Sequence, residues 1–375
     1  MPVACKDMKV CGSESANTTH GQPSLHGAQD RMLNPDYEPI YTFHCYEENL
    51  RFIAEDYFRA ELVNHEHFPV NEVGKRPIVL LPNHSGMSLS WDTIILDFLV
   101  YDLLKKARNS SEEALFHKVV RIVDPILVED RGITPFGIER WWSRTGCVSA
   151  TYANCERAIR EKRIVCVAPE GVAGIAKGFS RRYKLQRFSS SFMSLALRYS
   201  AIVISVSIVN AEYLRPYNYT NGWLNYLFRR IWGMPFGAMG IGVSQLLFPA
   251  TFLTPMPAKL TYVLEQPVEF KTPERPPNRE ELRVATDRFR IRHQELLTQA
   301  VLRFHKPYAL KSLWRRFCRS HQKKMFLPFF WHEMFLETAG LPHWLHWLYK
   351  IPLGYPAIWI AKRLATPRHS LRTER

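Results

Sequence analysis

The chain has 375 residues, 46% of them hydrophobic and 13% aromatic, enough to bury one α/β core with appendages and too apolar for wholesale disorder. Its net charge of +15 points to an anionic neighbour, either nucleic acid or an anionic lipid surface. Seven scattered cysteines without a CxxC pair argue against a disulfide framework or structural zinc and for a reducing, cytoplasmic setting.

Residues 1–35 read as a flexible leader; the first 30 are rich in Ser, Thr, Gly, Gln and His and lack the apolar stretch of a secretory signal. From Tyr41 to Val63, the residues Phe43, Leu50, Ile53, Tyr57, Phe58 and Leu62 recur at helical spacing and predict an amphipathic helix. His65 and His67 fall in a turn before Pro69 with no further ligand close by, and are not read as a metal site. Short β-branched runs then alternate with helical stretches: "RPIVLLPN", "DTIILDFLVYDLLKKA", "VVRIVDPILV", "TYANCERAIREK", "RIVCVAPE", "FSSSFMSLALRYS" and "AIVISVSIV". That order predicts an α/β domain whose mostly parallel central sheet is flanked by helices. Runs apolar on both faces suit strands covered from each side. Ligands of such sheets bind beyond the carboxyl ends of the strands, where "NHSG" follows "PIVLL" and "PEGVAG" follows "RIVCVA".

Ile231 to Ala258 carries no charge over 28 residues, yet Pro235, Pro249, Pro255, Pro257 and four glycines interrupt it. A loop-rich segment, shallowly buried or packed on the core, is expected there rather than a spanning helix. "KLTYVLEQPVEF" reads as a strand and "REELRVATDRFRIRHQELLTQAVLRF" as a charged helix. Residues 271–375 form a helical, basic and aromatic C-terminal region, in which Lys311, Arg315, Arg316, Arg319, Lys323 and Lys324 occur without an acid and alternate with Trp314 and Phe317. Aromatics among Lys and Arg stems suit a membrane–water interface. No RNP-like or zinc-finger pattern supports nucleic acid. A helical layer packed on the core is the other reading of this region.

His84 ends one strand, and Asp92 follows eight residues later at the start of a helical run. A short loop and one helical turn can return the carboxylate to the imidazole, so that His removes a hydroxyl proton while Asp fixes its tautomer. A satisfied turn and a helix cap would look the same. Glu170-Gly171 ends a second strand, followed by Lys177, Arg181, Arg182, Lys184 and Arg187. A glycine turn with cations after it can hold phosphate or phosphopantetheine-type groups, or be a tight turn before a solvated basic helix. It lacks the GK[ST] of a nucleotide-binding loop. Ser85 and Ser88 lack the G-x-S-x-G of a nucleophile elbow.

In combination, strand-"NH"-loop-Asp, then strand-"PEG", then the apolar strand "AIVISVSIVNAEY" resembles the glycerolipid and lysophospholipid acyltransferase superfamily, and within it the monoacylglycerol and diacylglycerol acyltransferase-like branch. The similarity covers roughly residues 50–270, within a domain bounded at 36–270. The resemblance implies His84 as general base and Asp92 as its orienting carboxylate. It also implies Glu170 and Gly171 shaping the acceptor site, Arg144 as the second-motif arginine, and substrate contacts from Asn83, Gly86, Lys177, Arg181 and Arg187. The expected reaction is direct transfer of a fatty acyl group from acyl-CoA or acyl-carrier protein to a lipid hydroxyl, without an acyl-enzyme, metal or cofactor. Backbone N–H groups near the glycine turns are expected to stabilise the oxyanion. Acyl-CoA, a hydroxyl-bearing lipid and an anionic membrane surface are the expected partners, with nucleic acid excluded and the chain peripheral or monotopic on its membrane. The commonest first motif is H-x4-D, whereas position 89 is Leu and Asp92 gives H-x7-D. Asp92 is preferred to Asp97, which lies more than a turn further into an apolar helix. The other classes considered are a non-catalytic lipid-binding protein on the same fold and a serine-type lipid esterase or transacylase.

Overall fold

A computed structural model describes residues 34–85, 90–108, 119–128, 139–217, 221–232 and 254–327, together with Trp331, 347–349 and isolated positions as far as Ile360. Its strands are β1 (Glu61–Val63), β2 (Ile78–Pro82), β3 (Val119–Val123), β4 (Val148–Ser149), β5 (Ile164–Cys166), β6 (Ile202–Val209), β7 (Thr261–Leu264) and β8 (Val268–Glu269). They form one sheet in the order β1-β7-β6-β2-β5-β3-β4, with β8 also on β6. From β6 to β4 every pairing is parallel, while β7 and β8 run antiparallel to β6. The architecture is the expected α/β one.

Besides a single helical turn at Pro125–Val128, the α-helices are α1 (Pro39–His44), α2 (Trp91–Arg108), α3 (Glu139–Arg144), α4 (Tyr152–Arg160), α5 (Val172–Ala176), α6 (Ser191–Arg198), α7 (Gly222–Trp232), α8 (Arg279–Phe304) and α9 (Leu310–Arg319). All residues of β2 and β6 are buried, because helices cover both faces of the sheet and successive side chains point to opposite ones. Ile78, Leu80, Ile202 and Ile204 pack with Ile94, Ile95 and Phe98 of α2. Val79, Leu81 and Val203 pack with Ile159 of α4, Leu195 of α6 and Leu297 of α8. Helix α8 begins at a capping box in which the Asn278 side chain accepts from Glu281 N–H at 2.9 Å and Glu281 returns a bond to Asn278 N–H at 2.9 Å.

Two local departures from the sequence reading have visible causes. The helix expected over 41–63 continues from α1 through wider i→i+5 turns to Tyr57 and then breaks, and its last three residues are β1. At the break Arg59 takes φ +47, and its buried guanidinium donates to the carbonyls of Tyr57, Pro257 and Tyr308. Those bonds turn the chain into the sheet beside β7. The strand expected at "KLTYVLEQPVEF" is likewise split: Leu264 pairs with Val206 and Val268 with Val203, so one extra residue is accommodated around Pro267. A bulge is where a residue without an N–H donor fits a ladder.

The aromatic C-terminal stretch contributes to the core. Trp331 is fully buried, with ring centroids 4.5 Å from Tyr57 and 5.1 Å from Trp91 in edge-on contacts, and its indole donates to Met325 O at 2.7 Å. Among the described residues no helix is long and apolar enough to cross a membrane. Residues 233–253 of the uncharged stretch lie outside the described residues.

Candidate active site

Strand β2 stops where Asn83 substitutes its side chain for a strand partner. Its Oδ1 accepts from Ile208 N–H at 2.6 Å and its Nδ2 donates to Ile208 O at 3.1 Å. The side chain expected at the substrate thus holds the end of β2 to β6 while the backbone leaves the sheet. His84 follows at the carboxyl edge, 7% exposed. Its Nδ1 lies 2.7 Å from Asp92 Oδ2, and since a carboxylate only accepts, Nδ1 carries the hydrogen and Nε2 keeps its lone pair.

Asp92 is fully buried in the first turn of α2. Besides His84, it accepts from Ser85 N–H at 2.9 Å on the same oxygen and from Thr93 N–H at 3.0 Å on the other. These donors fix the orientation of the carboxylate at the N-terminus of α2. Asp97 has a different environment. It pairs with buried Arg121 at 2.9 Å and accepts from the Tyr46 hydroxyl. Burial raises its carboxyl above the usual range, with Arg121 pulling the other way. Arg121 itself lies over Trp141 at 5.2 Å.

The Glu170-Gly171 turn braces this loop. Glu170 is buried and accepts from His84 N–H at 2.9 Å and from Gln186 N–H at 2.6 Å. Gly171 caps α5 at φ +55, ψ −148, a conformation open almost only to glycine. A residue the sequence reading did not single out completes the packing. A Cβ on Gly174 would lie 2.9 Å from His84 Cβ, from His84 O and from Glu170 Cβ, so only a glycine lets α5 approach the histidine this closely. The expected oxyanion donors at this turn are already in use: Gly171 N–H bonds Ala168 O at 3.0 Å and Gly174 N–H bonds Gly171 O at 3.1 Å. Gly86 and Ser88 lie outside the described residues.

The remaining residues are dispersed. Arg144 sits on α3 with its guanidinium 2.8 Å from Glu38 and 3.6 Å above the Tyr41 ring, an arrangement that ties α3 to the chain around α1. Arg181 and Arg187 are exposed. Lys177 is buried and lies 3.6 Å from buried Glu212, an acid that carried no sequence signal. Burial raises the Glu212 carboxyl, and Lys177 opposes that shift. Both side chains line a small cavity together with Ser85, Gly174 and Arg215. Ser85 Oγ has no hydrogen-bond partner among the described residues, so no bond to His84 prepares it as a nucleophile. His67, set aside as a ligand, bonds Leu264 O at 2.9 Å.

Residues 59–209 match the Acyltransferase family model. An uncharacterised protein of Mycobacterium tuberculosis (strain H37Rv) is 26% identical over 236 residues, which are 62% of this chain and 58% of that protein. An uncharacterised protein of Mycobacterium leprae is 25% identical over 233 residues, 62% of this chain and 57% of the relative. The chain therefore spans under three fifths of the length of these relatives. A crystal structure of the 1-acyl-sn-glycerophosphate (LPA) acyltransferase PlsC from Thermotoga maritima is 18% identical, with a TM-score of 0.36 over 69% of this chain and 79% of that one. The matched stretch, residues 59–209, carries His84, Asp92, Glu170 and Gly174.

Proposed function

We propose that the chain transfers a fatty acyl group from a thioester donor, acyl-CoA or acyl-carrier protein, to a hydroxyl of a glycerolipid or lysophospholipid. The observation that carries this reading is the 2.7 Å contact between His84 Nδ1 and Asp92, which leaves Nε2 as a base at the carboxyl edge of β2. The acceptor hydroxyl gives its proton to Nε2 as its oxygen bonds to the thioester carbonyl carbon. The C–S bond then breaks, and the leaving thiolate takes that proton from the imidazolium. The products are an ester and a free thiol, and His84 ends as it began. Asp92 supports the imidazolium formed between the two steps.

The test is to incubate purified protein with labelled acyl-CoA and a panel of hydroxyl-bearing lipids and to separate the products. His84→Ala should remain folded and lose transfer by about 10²–10⁴-fold; full turnover by that variant refutes the assignment. A covalent acyl-serine detected by mass spectrometry would favour the esterase-like alternative instead.

The membrane contact read from the sequence is proposed for α9. Leu310 and Trp314 are each 68% exposed, beside exposed Lys311, Arg315 and Arg319. Apolar and aromatic groups flanked by cations suit peripheral docking on anionic lipid, where an acyl acceptor resides.

A further inference from the structure

Three buried polar atoms beside the histidine loop have no hydrogen-bond partner among the described residues: Ser85 Oγ, Lys177 Nζ and Glu212 Oε2. They come from separate parts of the chain. Ser85 follows His84, Lys177 caps the end of α5, and Glu212 lies in the turn Ala211–Leu214 that leaves β6. All three residues line one small cavity. The Lys177 and Glu212 side chains are 2% and 3% exposed and stand 3.6 Å apart, an ion pair without a direct hydrogen bond. Buried polar groups are almost always satisfied, and these three share one space.

We propose that Ser85 Oγ, Lys177 Nζ and Glu212 Oε2 bind one water molecule, and that this hydrated clasp makes Ser85, Lys177 and Glu212 positioning residues for His84. Its consequence for turnover rests on the acyl-transfer reading; the clasp itself does not. The cavity has room for about one water. Water also matches the three groups: it accepts from Lys177 Nζ, donates to Glu212 Oε2 and keeps a donor and an acceptor for the Ser85 hydroxyl, which works in either sense. Lys177 repels a cation from that space, and Glu212 repels an anion. Arg215, also in the wall, donates to the Tyr217 hydroxyl at 2.9 Å.

The clasp joins elements that already converge on His84. Glu170 accepts from His84 N–H and from Gln186 N–H, Gly174 packs against His84 Cβ, and Glu212 Oε1 accepts from Tyr183 N–H at 3.0 Å. The segment 170–186 is thereby held both to the histidine and to the end of β6. The water extends this hold to the Ser85 side chain. Ser85 N–H in turn donates to the same Asp92 oxygen that faces His84 Nδ1, so fixing Ser85 fixes the carboxylate that orients the imidazole.

The experiment uses the full-length chain. A crystal structure should place one solvent molecule within about 3.2 Å of all three atoms; direct contact between Lys177 and Glu212, with no solvent between them and Ser85, overturns the proposal. In protein carrying isotope-labelled histidine, the Nδ1 proton of His84 is identified by its loss in His84→Ala. Its exchange with solvent should be about 3–10-fold faster in Ser85→Ala, the effect of one lost hydrogen bond, since that variant keeps the backbone N–H that Asp92 accepts. Lys177→Met/Glu212→Gln removes both charges together, so no lone charge is left buried, and keeps an acceptor for Tyr183 N–H; it should speed the exchange in the same way. In both variants kcat per folded molecule should fall by about 3–10-fold with KM unchanged. An exchange rate unaltered in both variants, or a loss of turnover that only follows the folded fraction, overturns the proposal. Failure of the acyl-transfer reading looks different: the unmodified chain acylates no lipid, while the solvent molecule and the faster exchange are still seen.

Discussion

A Cβ placed on Gly174 would come within 2.9 Å of the His84 Cβ and of the His84 carbonyl oxygen. Gly174→Ala must therefore push α5 away from the loop that carries the histidine, and overpacking of this kind costs about 1–3 kcal/mol. Both thermal stability and acyl transfer should fall. Gly171→Ala provides the contrast, since nothing lies within 4 Å of its new Cβ and only the φ of +55 is strained. It should lose about 1–3 kcal/mol while retaining more transfer per folded molecule. Equal turnover in the two variants would separate α5 from the site.

The two aspartates on α2 should fail in different ways. Asp92→Asn removes the carboxylate that fixes the His84 tautomer and should lower kcat by about 10²–10⁴-fold in protein that still folds. Asp97→Asn leaves Arg121 without its 2.9 Å counter-ion and should cost about 3–5 kcal/mol of stability, with turnover per folded molecule maintained. Denaturant unfolding alongside steady-state kinetics separates the two effects. A stable but inactive Asp97→Asn protein would reverse the assignment.

His293 on α8 should make stability depend on pH. Its ring is fully buried against Phe188, with centroids 5.9 Å apart, and burial lowers the imidazole from 6.5 to about 4. The unfolded chain therefore takes up a proton below pH 6.5 that the folded chain refuses until about pH 4. Stability is complete above pH 6.5 and declines as pH falls through this window, by up to about 3 kcal/mol in all. Urea unfolding at pH 7, 5.5 and 4 measures the slope, and His293→Leu should remove this contribution. A variant with an unchanged slope would show that other groups are responsible.

Vesicle binding tests the surface of α9. Each of Lys311, Arg315 and Arg319 should contribute about 1 kcal/mol against anionic lipid, so reversing all three to Glu should abolish cosedimentation with phosphatidylserine vesicles. Trp314→Ala should weaken binding even at high salt, where the charge contribution is screened. Unimpaired binding by both variants would place the contact elsewhere.

Much of the sheet was legible because β2, β5 and β6 are apolar on both faces, and only a strand between two helical layers needs that pattern. The His84 and Asp92 pairing was legible as a spacing. Its geometry depends on Asn83 releasing the chain from the sheet and on Glu170 bracing the His84 amide, contacts that join distant parts of the sequence. Glu212 gave no local signal, since its partner Lys177 lies on another element. Arg59 interrupts a helical pattern because its guanidinium finds three buried carbonyls, which the periodicity of its neighbours cannot reveal. Arg144 matched a motif position, yet its nearest partners Glu38 and Tyr41 precede the matched stretch.

Trp331 follows Trp91 by most of the chain, yet the two rings meet edge to edge at 5.1 Å beside the first turn of α2. During synthesis, that aromatic wall stays incomplete until the ribosome has released the segment beyond α9. A nascent chain that ends before Trp331 lacks the indole that packs on Tyr57, Phe58 and Trp91, and apolar surface left uncovered in this way during folding is prone to association.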